Sequence, residues 1–445
     1  VYVFDPRQFG LTRYGFPKTG CYRVQFLLES VADLQVKLRA LGSDLILRNG
    51  SPEQIIPELV QRHGVSTVHA TAEATSEETT VERAVEAAIR PLGATLKRHW
   101  TATLYHLDDL PFANLRDMPE IFSEFRRAVE RRSSIRQPIP APRRMPPLPA
   151  TAGGGRLPDH RELNSEPPPR DPRAAIRFAG GETAALNRVR EYIWKRDRLR
   201  SYKETRNGLL GEDYSSKFSP WLANGCLSPR RLYAEIRDYE RRVVANDSTY
   251  WLIFELIWRD FFRFIALKHG NALFKSGGLR RKGREGREDR VLLTIWARGE
   301  TGYPFVDANM IELARTGWMS NRGRQNVASF LVRDMKVHWR MGAEFFESLL
   351  IDYDPCSNWG NWNYVAGVGN DPREDRYFAV LKQAANYDPN GDFVRHWIPE
   401  LAQITGGDVH APWRLGEAEL RRAGVRLGDD YPKRVVALAE APSRR

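Results

Sequence analysis

The sequence predicts an α/β plus all-α protein: a doubly wound parallel-sheet domain at the N-terminus, followed by a helical domain. Three observations predict it. Strand-like and helix-like runs alternate through residues 1–110, as a parallel sheet with crossover helices requires. Residues 137–172 are dominated by Pro and Gly, including Pro167-Pro168-Pro169 and Gly153-Gly154-Gly155, which suits an extended linker with little core. From Ala174 onward apolar residues recur at helical spacing. The boundaries read are 1–120 for the α/β domain, 121–173 for the Pro-rich connector, 174–430 for the helical domain and 431–445 for a basic tail.

The elements follow in order. Val1-Tyr2-Val3-Phe4 is a strand broken by Asp5-Pro6. Phe26, Leu27, Val31, Leu34, Leu38 and Leu41 mark a helix that ends at Gly42. A second strand covers 44–47. Ser51 and Pro52 then open a helix that runs to His63, with Gly64 beyond its end. A third strand (65–70), a helix (77–92) and a fourth strand (94–100) complete the alternation. No GxGxxG follows any strand, so a dinucleotide site in this half is unsupported. Residues 121–132 form a short amphipathic helix with a basic face. The helical domain is read as helices over 181–195, 228–244, 249–269, 289–298, 305–316, 322–337, 342–350 and 373–386.

Composition excludes several classes. Of 445 residues, 42% are hydrophobic and 28% charged, and 12 Trp, 16 Tyr and 20 Phe supply core material, so a disordered chain is excluded. The most apolar run, 250–258, contains Glu255 and is too short to span a bilayer, so no membrane association is expected. No basic start followed by a long apolar stretch marks a signal peptide. Cys21, Cys226 and Cys356 lie far apart without a CxxC, as in an intracellular, reducing compartment; cytoplasm, nucleus and organelle fit equally. Charge is distributed unevenly. Residues 1–120 hold 13 Lys and Arg against 15 Asp and Glu, whereas the remainder holds 55 against 41, a net of +14. Eleven of the twelve Trp also lie in the later part. A basic, Trp-rich body suits a polyanion with flat rings, or else a solvated basic surface over an aromatic core.

Four segments carry chemistry. Tyr214-Ser215-Ser216-Lys217-Phe218-Ser219-Pro220-Trp221 places hydroxyls and a Lys before a helix, which suits a diphosphate or merely a helix cap. In 251–262, Glu255, Trp258, Arg259 and Phe262 share one helix face; the apolar flanks imply a buried polar spot beside a Trp, either a Glu–Arg pair or a ligand cavity. Thr316-Gly317-Trp318-Met319-Ser320-Asn321-Arg322-Gly323-Arg324-Gln325-Asn326 is a basic turn entering a helix, able to dock phosphates or bases, or to cap. Residues 352–364 (DYDPCSNWGNWNY) read as a structured loop that positions a ligand. Asp352 and Asp354 lack a third ligand at suitable spacing, and no HExxH, HxH or nucleophile elbow appears, so no metal site is expected.

In this order and spelling the segments resemble the photolyase/cryptochrome family, closest to DASH-type cryptochromes. The strings DYSSKFSPWLANGCLSPR, FELIWRDFFRF, TGYPFVDANM, TGWMSNRGRQNVASFLVRDM and DYDPCSNWGNWNYVAGVGNDPREDRYF carry the resemblance, which runs from Val1 to about Trp397. By that resemblance a strand and helix precede Val1, leaving the sheet one strand short in this numbering. The implied fold is an α/β antenna domain and a helical FAD-binding domain. The resemblance assigns Tyr202, Ser215, Ser216, Lys217, Phe218, Ser219, Arg259, Asp352, Asp354 and Asn358 to FAD, with Asn358 at flavin N5. An amide there can hydrogen-bond N5 in more than one redox state. Plant signalling cryptochromes carry Asp at that place.

Glu255 and Trp258 match residues that hydrogen-bond and stack on a cyclobutane pyrimidine dimer, and Asn321, Arg322, Arg324, Gln325 and Tyr364 complete the implied DNA side. The (6-4) photolyases carry His where this chain has Asn321 and Gln325. Gln325 and Tyr364 stand where duplex-specific photolyases have Met and Trp, which implies a preference for single-stranded DNA, with RNA or looped duplex as further partners. A single strand avoids the cost of unpairing. Trp362 and Trp339 match the inner members of the family's electron-transfer chain, while the outer position is Gly286. Glu29 matches the carboxylate that holds a methenyltetrahydrofolate antenna. The function implied is light-driven repair of cyclobutane pyrimidine dimers by a monomer; the rivals are a non-enzymatic blue-light photoreceptor, a nucleic-acid-binding regulator, or, more weakly, a flavin oxidoreductase.

Overall fold

The computed structural model describes residues 1–282, 286–373 and 376–438. Strand β1 (Tyr2–Phe4) pairs in parallel with β2 (Leu47–Asn49), and β3 (Thr67–Thr71) with β4 (Thr95–His99). The parallel sense matches the alternation in the sequence. The ladders are short, however, and among the described residues they form two separate two-stranded sheets. The crossovers are the Cys21–Ala40 and Ser76–Ile89 helices. Between the pairs runs the Pro52–His63 helix, with Pro in its first turn and Gly64 in the left-handed region after its end.

The connector is less free than its composition suggests. Its Phe122–Arg132 helix buries Phe122, Phe125 and Val129 against the helical domain. Further on, Gly154 accepts from the Leu47 amide (2.6 Å) and Met145 donates to Leu41 (2.8 Å), so the chain straps onto β2. Ala152 and Leu163 are buried there. Gly155 has φ +83°, and a Cβ on it would lie 2.4 Å from the Leu47 carbonyl oxygen, so close passage requires glycine.

The helical domain is organised around the 23-residue Asp247–His269 helix. Asn246 caps it by accepting from Ser248 and Thr249, and Thr249 answers the Asn246 amide, a reciprocal capping box. Apolar residues surround this helix, and it is buried accordingly. Its Asp260 carboxylate accepts from the Leu104 and Tyr105 amides at 2.9 and 2.8 Å, fastening the two domains together. The largest apolar core crosses the same boundary; Trp100 stacks on Phe264 at 5.9 Å.

Three expectations are corrected. Residues 352–364 are not a loop: Pro355–Ala366 is a helix capped by Asp354, with Pro at its first position and Gly360 inside it. A Cβ on Gly360 would lie 2.3 Å from Phe262, so the residue that reads as a breaker is a packing requirement. The 322–337 helix is Asn321–Ser329 continued by a π-helical turn, Phe330–Asp334. The 373–386 helix is Val380–Tyr387, and residues 374–375 lie outside the described residues. Of the expected tail, 431–438 packs on the helical domain: Tyr431 donates to buried Asp307, and the Val435 amide donates to Thr301. The rest of that tail lies outside the described residues. No described helix is long and apolar enough to cross a membrane.

Candidate functional site

The helical domain encloses a cavity of about 610 Å³, joined by a smaller one of about 110 Å³ that shares Asn321, Arg324, Gln325, Asp352 and Asp354. On one wall, Ser215–Ser219 leads into the Ser219–Ala223 helix. Buried Arg188 donates to the Ser216 carbonyl (3.1 Å) and holds this strip in place. Lys217 has φ +55° and donates to the Gly211 and Glu212 carbonyls at 3.2 and 3.1 Å, with its ammonium 3.3 Å from the Tyr214 ring centroid. Burial lowers its pKa to about 7, with Arg188 adding to the fall. Its ammonium therefore pins the loop; the Ser215 and Ser216 hydroxyls are the groups left to a ligand.

Across the cavity stand the two carboxylates. Asp352 accepts from the Ser219 hydroxyl at 2.7 Å and from the Arg324 guanidinium at 2.9 Å, both on one oxygen. The other Asp352 oxygen is buried without a partner, an acceptor turned toward whatever fills the space. Arg324 also donates to the Met319 carbonyl, so it braces the carboxylate wall while lining the cavity with Asn321 and Gln325. Burial raises Asp354, but Arg263 and Arg259 outweigh it and hold the carboxylate below its ordinary value. Arg259 is locked by the Ala102 and Leu222 carbonyls. Asn358 donates its amide nitrogen to the Ala343 carbonyl (3.1 Å), which leaves the amide oxygen to meet a ligand. Tyr202 is buried in the same wall.

The mouth is formed from the Asp247–His269 helix. Glu255 pairs with Arg206 at 2.8 Å, not with Arg259 one turn away. Burial pushes the Glu255 carboxyl up, against the pull of Arg206. Phe122 of the connector stacks on Trp258, centroid to centroid 3.6 Å and 10° from parallel, and Tyr364 meets Trp258 edge-on at 6.0 Å. Asn321 and Gln325 line the opening, together with Arg373 and Arg376. Arg322 does not line it: this residue donates to Gln325 and Asn207 and lies over the Tyr387 ring, so it positions Gln325. Sequence reasoning missed Arg206, Arg263, Arg376 and Phe122. Only the pairing of distant segments reveals them.

Trp362 lines the smaller cavity beside Asn358, and its ring packs on Gly342, one turn along from Trp339. Glu29 lies elsewhere. Its oxygens accept from Gln25 (2.9 Å), Arg177 (3.3 Å) and the Gly180 amide (2.7 Å), so it fastens the start of the helical domain to the α/β domain. No described cluster of three or more His, Cys, Asp or Glu could hold a metal.

Comparison with known proteins places this geometry. Residues 251–445 match the FAD binding domain of DNA photolyase, and residues 1–144 match DNA photolyase. Cryptochrome DASH of Gloeobacter violaceus is 56% identical over 441 residues, covering 99% of this chain and 88% of that protein. The chain belongs to the photolyase/cryptochrome family. Cryptochrome DASH of Xenopus laevis is 52% identical over 442 residues, covering 99% of this chain and 84% of its own. The crystal structure of a Synechocystis cryptochrome superposes with a TM-score of 0.96 at 50% identity, covering 98% and 90% of the two chains. A class III photolyase from Agrobacterium tumefaciens gives 0.84 at 28% identity, covering 98% and 88%. The cavity therefore belongs to an FAD-binding photolyase-type domain. Its orphaned Asp352 oxygen, the Ser215 and Ser216 hydroxyls and the Asn358 amide suit a flavin's ring and diphosphate.

Proposed function

We propose that this chain splits cyclobutane pyrimidine dimers under blue light, preferring single-stranded DNA. The observation that carries the reading is Glu255 and Trp258 together at the mouth of the cavity whose floor suits FAD. When bound, reduced FAD supplies an electron to the dimer on absorbing light and recovers it after the ring opens. The chain's residues do the rest. Trp258, backed by Phe122, offers one face to a base. Glu255, raised by burial and steadied by Arg206, polarises the base carbonyls. Gln325 is held by Arg322, and Tyr364 packs against Phe262, so neither supplies the broad apolar grip that extracting a base from duplex requires. Trp362 and Trp339 deliver electrons when the flavin is oxidised.

For a methenyltetrahydrofolate antenna we propose, beside Glu29, a second place in the interdomain groove of about 780 Å³, whose lining includes Glu73, Glu77, Glu78, Phe274 and Trp359. Carboxylates for ring N–H donors and aromatic faces for stacking suit a pterin. The chain's free cysteines suit a reducing compartment.

Glu255→Ala tests the site. Flavin content should be unchanged, while dimer splitting under saturating light slows on the order of 10²-fold, the scale of one lost transition-state hydrogen bond. Unchanged repair would leave Glu255 as a structural partner of Arg206. Full flavin with no repair in the parent protein would make the cavity a sensing or binding site.

A further inference from the structure

The tryptophan pair needs an outlet. At Gly286 there is no ring, and a Cβ there would lie 3.0 Å from the His338 Cα, so this position is pressed against backbone. Two other tryptophans approach the pair. Trp296 meets Trp362 at 6.4 Å, but it is fully buried and its remaining ring neighbours are Phe345 and Phe346, which are much harder to oxidise. Trp359 precedes Trp362 by three residues on the same helix and meets Trp339 edge-on at 5.7 Å. Its indole N–H donates to the Tyr353 hydroxyl at 3.3 Å. Tyr353 in turn lies beneath the Arg23 guanidinium, 4.8 Å from its ring centroid, and its hydroxyl interacts with Glu347. Trp359, Tyr353 and Glu347 all line the interdomain groove.

We propose that Tyr353 is the terminal electron donor of this protein's photoreduction route, reached from Trp339 through Trp359. The inference rests on the reading of Trp362 and Trp339 as inner donors, with photo-excited oxidised flavin as the one-electron oxidant. Oxidised Trp339 regains its electron from Tyr353 by way of the Trp359 ring. The phenol proton passes to the Glu347 carboxylate. One electron and one proton leave Tyr353, which becomes a neutral radical; Trp339 and Trp359 end unchanged, and Glu347 ends neutral. Arg23 enforces the proton loss, because a positive charge over the ring disfavours a tyrosine radical cation. Glu347 is suited to accept: burial raises it to about 7, and Arg23, Lys18, Glu77 and Tyr353 are the groups that face it.

The test is flash spectroscopy and EPR on the FAD-loaded full chain. The parent should show a tyrosyl radical after the tryptophan signal. Growth on ring-deuterated tyrosine should narrow that EPR signal without any substitution. Tyr353→Phe should remove it, speed recombination and lower the photoreduction yield several-fold, with flavin content unchanged. Glu347→Gln should slow formation of the tyrosyl radical. An EPR signal insensitive to tyrosine deuteration, or a Tyr353→Phe protein with parental yield, overturns the proposal. Trp362→Phe separates it from the underlying reading. Abolished photoreduction there keeps the tryptophan pair whatever Tyr353 does, and parental photoreduction removes the pair and the inference together.

Discussion

Glu312 and Lys217 illustrate how single residues behind the cavity set a pH response. Burial raises Glu312 from 4.5 to about 8, and Lys217 and Arg324 offset only part of the rise. Between those values the folded chain holds a proton that the unfolded chain has released. Stability from this group is full below about 4.5 and is lost as pH rises toward 8. Lys217 acts in a different window. Its folded value of about 7 lies below the unfolded 10.5, so stability rises with pH between them. In urea titrations of the flavin-free protein, Glu312→Gln should therefore flatten the decline between about pH 5 and 7. Parallel curves for parent and variant would place the pH response elsewhere. The sequence could not show this coupling, because residues 217 and 312 meet only through the fold. By contrast, Ser215–Ser219 and the Glu255–Trp258 face were legible, since both are local patterns of residue type and spacing.

Among the elements, the Pro355–Ala366 helix joins sequence to site most directly. Asp354 caps it by accepting from the Ser357 amide (2.8 Å) and faces Arg263 at 3.4 Å. Arg263 also reaches Glu73 in the α/β domain at 3.2 Å. Asp354→Ala removes the cap and leaves Arg263 and Arg259 short of a buried counter-charge, which should cost about 3–5 kcal/mol. Asp354→Asn keeps the cap acceptor and should cost less. Urea denaturation of both checks this, and equal losses would assign the whole effect to the missing counter-charge and none to the cap. Pro355 and Gly360 make this stretch read as a loop. Proline is tolerated in a helix's first turn, and Gly360 is set by Phe262, so both cues mark packing and capping. The Asp247–His269 helix was legible because its capping residues and apolar run agree locally. Its Glu255–Arg206 pair was not, because Arg206 comes from a different segment.

At the scale of the whole molecule, α/β domain, connector and helical domain were legible from periodicity and composition. The way they fasten together was not. Asp260 on the Leu104 and Tyr105 amides, Glu29 on Gly180, and the connector strapped along β2 are long-range hydrogen bonds with no local signature. The same assembly turns the +14 excess of the later chain into a directional cue, since Arg373 and Arg376 stand at the cavity mouth. Single-strand binding should weaken with salt, and Arg373→Ala should flatten the log–log slope by about 0.7, the share of one phosphate contact. An unchanged slope in fluorescence titrations would move the contact away from Arg373. The central claim is light-driven dimer repair with a single-strand preference. Its most direct test is to count dimers remaining in an oligonucleotide, single-stranded and duplex, after incubation with flavin-reduced protein in blue light and in darkness. The account predicts repair only in light, and several-fold faster on the single strand. Equal rates on both substrates, or no repair in light by protein carrying reduced flavin, would contradict it.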